Sequence, residues 1–262
     1  MVLLCHGEAN DFTINSKAYR YKLLNYLIYL YLIYFIVQNM SISENLRQLK
    51  SNIPENVLLV AVSKTKPNDL VLEAYHVGQK DFGENYVQEL VDKYQTLPKD
   101  IHWHFIGHLQ SNKVKYLTPF VYMIHSVDSF KLLKEINKQA EKDKRVIDCL
   151  LQIYIAQEET KFGFDEVDCM ALLQSYEFQA LKHIRICGLM GMASNTANTE
   201  QVAKEFQTIK HLFDQVAQSS LVSSAFKYLS IGMSGDYALA IKNGSTLIRV
   251  GSSIFGERNY SK

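Results

Sequence analysis

Eight short apolar segments, set apart by stretches with helical periodicity, constrain this chain more than any other feature. They fall at 57–63, 80–83, 101–106, 121–126, 147–155, 184–190, 227–231 and 246–250, and they are rich in Ile, Val, Leu and aromatic residues. Between them, apolar residues recur at helical spacing over 68–77, 86–95, 129–142, 166–178 and 199–218; Leu132, Leu133, Ile136 and Ala140 form one such stripe. Strands alternating with helices imply βαβ units and a parallel sheet. Eight of them favour closure into a barrel over an open sheet. The expected fold is therefore α/β, a single (β/α)8 barrel preceded by an N-terminal helix. A chain of 262 residues, 47% of them hydrophobic, suits one such domain. No internal repeat, low-complexity linker or Pro- or Ser-rich hinge divides it after residue 56.

Charge and cysteine content narrow the setting. The 28 basic and 27 acidic residues leave a net charge of +1, so there is no basic footprint for nucleic acid. Cys5, Cys149, Cys169 and Cys187 form no C-x-x-C pair, and no histidine lies at zinc-finger spacing from them. Cys149 and Cys187 fall inside apolar runs and read as small core residues. These features imply a reducing, cytoplasmic protein without structural disulfides or a metal.

The first 39 residues read as a separate extension. An apolar, tyrosine-rich run over 26–37 is shorter than the ~20 residues a spanning helix needs. Lys17, Arg20 and Lys22 flank it as in a signal peptide, but no small-residue cleavage site follows. Met40 resembles a natural chain start, with Ser43 placed to cap a short amphipathic helix. The expected division is an extension over 1–39, translated or not, and a barrel over 40–262. A membrane anchor at the N-terminus is the rival reading.

Barrel enzymes carry their sites at the C-terminal ends of the strands. Lys64 follows the first strand, Asn85 the second, and Gly107-His108 the third. A lysine amine attacks an aldehyde only when partly unprotonated, a state that burial or a nearby cation supplies. Lys66 shares the side-chain parity of Lys64 and rivals it. After the seventh and eighth strands come Gly232-Met233-Ser234-Gly235-Asp236 and Arg249-Val250-Gly251-Ser252-Ser253. Five of the chain's 12 glycines fall between 232 and 256, which favours an anion cradle of close backbone and serine hydroxyls over simple tight loops. Lysine and cradle together suggest a pyridoxal phosphate site. Arg249 either faces a ligand or bridges to a strand neighbour. Beside a pyridine nitrogen a guanidinium only donates, which leaves the ring a poor electron sink. His102 and His104 share one strand face and suit packing or hydrogen bonding better than metal ligation, as no third ligand accompanies them; His125 is ambiguous in the same way.

The stretches AVSKTKP (61–67), FGENYVQE (82–89), WHFIGHLQSNK (103–113), HSVDS (125–129), QEETKFGF (157–164), GLMGM (188–192), GMSGDYALAI (232–241) and STLIRVGSSIFGER (245–258) resemble the pyridoxal phosphate homeostasis proteins. The resemblance runs from about Met40 to Arg258. It implies a barrel like the N-terminal domain of alanine racemase, the fold type III pyridoxal phosphate-binding class. It implies pyridoxal 5'-phosphate as cofactor, held as a Schiff base on Lys64 rather than Lys66. It places Asn85 in the pocket, Ser234, Gly251 and Ser252 on the phosphate, and Arg249 at the pyridine nitrogen. Ser252 stands where the family often has Thr, which keeps the hydroxyl; Tyr154 stands where relatives often have Asn.

The resemblance also implies cofactor storage and delivery within vitamin B6 homeostasis, by a monomer whose partners are the cofactor and apo-enzymes that use it. Racemisation needs two groups on opposite faces of a carbanion, and the second comes from another domain in alanine racemase; the chain is expected to lack it. Residual amino-acid racemase activity is the alternative. A Schiff-base aldolase acting on a phosphorylated sugar is a third reading.

Overall fold

The computed structural model describes residues 21–28, 41–156 and 162–257. The chain divides into two units, Met1–Ser41 and Ile42–Lys262. In the first, residues 21–28 are helical and exposed. The rest of the apolar run, Met40, Cys5 and residues 157–161 of the QEETKFGF motif lie outside the described residues. Among the described residues no helix is long and apolar enough to cross a membrane.

The second unit is a closed barrel of eight parallel strands in sequence order: β1 (Leu58–Val62), β2 (Asp81–Glu84), β3 (His102–Phe105), β4 (Met123–Val127), β5 (Ile147–Ile153), β6 (Ile184–Gly191), β7 (Tyr228–Ser230) and β8 (Leu247–Val250). β8 pairs back onto β1, with Leu58 opposite Leu247 and Ala61 opposite Val250. The helices between strands are α2 (Asn68–His76), α3 (Val87–Thr96), α4 (Phe130–Lys142), α5 (Glu166–Gln174), α6 (Tyr176–Gln179), α7 (Thr199–Ala217) and α8 (Tyr237–Lys242). A 3-10 turn (Ser111–Tyr116) joins β3 to β4, and a one-turn α9 (Ser252–Phe255) follows β8. The N-terminal α1 (Ile42–Ser51) precedes β1. Ser43 lies inside α1, so it does not cap it.

Local chemistry sets the helix bounds. The Ser129 side chain accepts from Leu132 N–H at the start of α4, and Asn198 does the same for Gln201 N–H at α7; such caps contribute roughly 1 kcal/mol each. Leu132, Leu133, Ile136 and Ala140 of α4 are buried, and so are Val202, Phe206, Ile209, Leu212 and Val216 of α7. Burying each large apolar side chain is worth about 1.5–3 kcal/mol. The expected single helix over 166–178 is two. Ser175 closes α5 and its hydroxyl then caps α6 by accepting from Phe178 N–H, a local bond that competes with helix continuation.

Strand alternation splits the core in two. Phe82, Trp103, Phe105, Ile124, Leu189, Leu229 and Ile248 belong to the large shell packed against the helices. The barrel interior has a smaller apolar cluster of Met123, Leu150, Cys187 and Met190. Several other inward positions are polar, among them His104, His125, Ser230 and Arg249, all buried.

Candidate functional site

A cavity of about 620 Å³ opens at the C-terminal ends of the strands. It is lined by Lys64, Asn85, Ser234, Arg249, Gly251 and Ser252, together with Val62, Ile106, Met192, Met233, Gly235 and Glu257. The first six are residues the sequence singles out, and the fold brings them to one place from β1, β2, β7 and β8. Val62, Ile106 and Glu257 are not singled out as site residues; Val62 and Ile106 lie at strand ends, and Glu257 follows α9.

The loop after β1 separates the two candidate lysines. Thr65 has φ 63°, a left-handed conformation rare for a β-branched residue. Its N–H donates to Glu89 Oε1 at 2.6 Å. The kink breaks the alternation that would give Lys64 and Lys66 one direction. Lys66 Nζ instead donates to the carbonyls of Phe255 (2.9 Å), Gly256 (3.2 Å) and Glu257 (3.0 Å). Lys66 thus clasps the segment after β8, while Lys64 lines the cavity.

Beneath this loop lies a buried charged group. Lys93 Nζ reaches Glu84 Oε1, Glu89 Oε1 and the Ser63 carbonyl, each at 2.7 Å. The Ser63 hydroxyl donates to Glu84 Oε1 at 2.6 Å. Burial pushes the Glu84 carboxyl up to about 7 against the pull of Lys93 and Ser63. Its second oxygen, Oε2, is buried without a hydrogen-bond partner among the described residues, which accounts for that direction.

The candidate anion cradle is built from two loops. Gly232 has φ +96°, and a Cβ there would lie 2.6 Å from Ala240 Cβ, so only glycine lets the chain turn into α8. Asp236 precedes α8 and accepts from Met233 N–H at 2.5 Å. Ser234 Oγ accepts from Gly251 N–H at 3.2 Å, tying the loop after β7 to the one after β8. Ser252 and Ser253 open α9, whose helical bonds begin at Ile254 N–H, donating to the Gly251 carbonyl at 2.9 Å. A Cβ on Gly235 would meet nothing within 4 Å, so the backbone borders open space.

Asn85 and Arg249 complete the wall. The Asn85 Oδ1 is buried and has no hydrogen-bond partner among the described residues. Gly107 holds Asn85 in place: a Cβ at 107 would sit 2.3 Å from the Asn85 carbonyl oxygen. Arg249 is 4% exposed and forms no ion pair among the described residues. Its Nη1 donates to Ser230 O (2.8 Å) and Ser230 Oγ (2.6 Å), and Nη2 donates to Gly191 O (3.1 Å). Burial lowers the guanidinium to about 10, which still leaves it charged at neutral pH.

One further recess borders this cavity, and a histidine–carboxylate group lies toward the opposite end of the strands. Tyr154, with His108, Phe162, Ile106, Met192 and Met233, lines a recess of about 320 Å³ that shares its last three residues with the main cavity. His102 Nδ1 and His104 Nε2 lie 3.1 and 3.0 Å from the same oxygen of Asp81. Both imidazoles thus lie within hydrogen-bonding distance of one carboxylate oxygen, and no metal-binding cluster occurs among the described residues.

Comparison with known proteins agrees with this architecture. The family model for the alanine racemase N-terminal domain matches residues 37–259. The pyridoxal phosphate homeostasis protein of Aquifex aeolicus is 40% identical over 203 residues, 77% of this chain and 87% of that protein. The human protein of the same name is 36% identical over 237 residues, covering 85% and 86%. The structure of PipY from Synechococcus elongatus with pyridoxal phosphate bound has a TM-score of 0.74 and 35% identity, covering 82% of this chain and all of that one. The chain is a member of the alanine racemase N-terminal-domain family and, within it, belongs to the pyridoxal phosphate homeostasis proteins.

Proposed function

We propose that the cavity at the barrel mouth binds pyridoxal 5'-phosphate as a Schiff base on Lys64, and that the chain stores and delivers this cofactor inside the cell. The single observation that carries the reading is the convergence of the Lys64 amine, the Ser234–Gly251–Ser252 cradle and the Arg249 guanidinium on one 620 Å³ space. When bound, the group supplies an aldehyde that condenses with an amine and releases water, a phosphate that takes several donors, and a ring nitrogen that accepts a hydrogen bond.

The residues present fit that group. The buried, unpartnered Asn85 oxygen and the open space beside Gly235 are what an occupant would fill. Ser234 and Ser252 offer hydroxyls to a phosphate, and the charged Arg249 faces an acceptor as a donor only. A donor-only partner withholds the proton that would make the ring an electron sink, which favours storage over turnover. PipY, at 35% identity, binds pyridoxal phosphate, and the relatives named for its homeostasis align over most of this chain. Cys149, Cys169 and Cys187 are buried free thiols, in keeping with a reducing cytoplasm. Apo-enzymes are the recipients in this reading, and the chain acts as a monomer.

Titration of the purified protein with pyridoxal 5'-phosphate tests the reading. Saturable visible absorbance is expected, and its loss in Lys64→Ala. A Lys64→Ala protein that keeps the full chromophore contradicts the assignment.

A further inference from the structure

The inside of a (β/α)8 barrel is ordinarily filled by layers of branched apolar side chains. Here a line of polar groups crosses it from mouth to base. Arg249 Nη1 lies 2.6 Å from Ser230 Oγ. Ser230 Oγ lies 3.3 Å from His125 Nδ1. His125 Nε2 lies 2.8 Å from His104 Nδ1, and His104 Nε2 lies 3.0 Å from Asp81 Oδ1. Ser230, His125 and His104 have no exposed surface. At the far end, Asp81 and His102 border a second cavity of about 800 Å³, at the N-terminal ends of the strands.

The donor and acceptor capacities of these groups leave one consistent direction. A guanidinium only donates, so the Ser230 oxygen accepts from Arg249 and must place its own proton elsewhere. The acceptor it faces is His125 Nδ1. An imidazole that accepts at Nδ1 is neutral and carries its proton on Nε2, from where it donates to His104 Nδ1. By the same step His104 carries its proton on Nε2 and donates to the Asp81 carboxylate. The reverse direction requires an imidazolium at His104 and an Nδ1–H at His125. It turns two donors on the Ser230 oxygen and leaves the buried hydroxyl proton without an acceptor. Burial, helped by the nearby Arg249 charge, holds His125 well below the ordinary histidine range. Burial alone would raise Asp81, but its hydrogen bonds with His104 and His102 bring it below the usual carboxylate range.

We propose that Ser230, His125, His104 and Asp81 form a one-directional hydrogen-bond chain through the barrel that positions the Arg249 guanidinium at the cofactor cavity. All four are positioning residues that act through Arg249. Two acceptors on Ser230 and one on Gly191 commit three of the five guanidinium N–H bonds. The carboxylate at the base offers an opposite charge to the buried cation, conducted by the polarised bonds between them. The assignment of a function to this chain rests on the reading that Arg249 faces the bound ring.

Long-range nitrogen–proton correlation NMR of the cofactor-free protein near neutral pH reads the chain directly. Both His104 and His125 are expected as neutral Nε2–H tautomers. An Nδ1–H tautomer at either, or an imidazolium at His104, overturns the proposal, and this measurement needs no variant to fold. The functional arm uses Asp81→Asn and Ser230→Ala. Each is expected to weaken pyridoxal 5'-phosphate binding about three- to tenfold, the worth of one hydrogen bond, and to shift the absorption maximum of the bound cofactor while borohydride still labels Lys64. Lower melting temperatures with unchanged affinity and unchanged spectrum would reduce the chain to a structural role and overturn the proposal, leaving the cofactor reading intact. A wild-type label away from Lys64 removes the cofactor reading and the role of the chain with it, whatever the tautomers show.

Discussion

The Lys66 ammonium lies 2.9 Å from the carbonyl oxygen of Phe255, joining the loop after β1 to the loop after β8. This places the two neighbouring lysines of the first loop in different roles. Lys66→Ala removes three bonds from a charged donor to carbonyls, a loss of about 1–3 kcal/mol in a half-buried setting. Calorimetry is expected to show a melting temperature lower by several degrees. Spectral titration is expected to show a chromophore that persists, with weaker cofactor affinity because Gly251 and Ser252 sit on the loosened segment.

Ser234 offers a hydroxyl to the cavity and accepts from Gly251 N–H. In Ser234→Ala both contributions vanish. A hydrogen bond to a charged group is worth about 1.5–3 kcal/mol, so pyridoxal 5'-phosphate should bind roughly ten- to a hundredfold more weakly. Pyridoxal without its phosphate serves as the control, and its affinity should barely change.

Gly107 and Asn85 touch backbone to side-chain position. Gly107→Ala would force a Cβ to within 2.3 Å of the Asn85 carbonyl oxygen, so the loop after β2 or β3 must shift. Reduced cofactor affinity and lower thermal stability are expected together in fluorescence melting curves. Retention of both would show that the loops yield without moving Asn85.

Glu84 gives a pH signature. Its folded pKa is raised from 4.5 to about 7 by burial, so the folded state holds the proton more tightly than the unfolded chain. Its contribution to stability is complete below 4.5 and is lost as pH rises through about 7. Urea unfolding of wild type and Glu84→Gln across that window should show a negative slope of stability with pH that is smaller in the variant. Equal slopes would mean that the Lys93 ion pair dominates Glu84.

The strands were legible because buried parallel strands are short apolar runs, and all eight runs became strands within a few residues of their bounds. The convergence on one cavity follows from strand-end position, which is why Lys64, Asn85, Ser234, Arg249, Gly251 and Ser252 were visible as candidates. Other features depend on contacts that no local pattern encodes. The alternation that made Lys66 a rival fails at Thr65, whose left-handed turn is held by Glu89 from α3, beyond the second strand. The break at Ser175 is a capping choice that helical periodicity averages away. His102, His104 and His125 stood out as residues, but the acceptor that His102 and His104 share, Asp81, comes from a neighbouring strand. Ser230 and Arg249 complete that arrangement only because the barrel closes.

Borohydride reduction of the protein saturated with pyridoxal 5'-phosphate, followed by peptide mapping, tests the central claim most directly. The account predicts one pyridoxyl group per chain, on Lys64, with no label at Lys66. A modified Lys66, or no modified peptide at all, would contradict it.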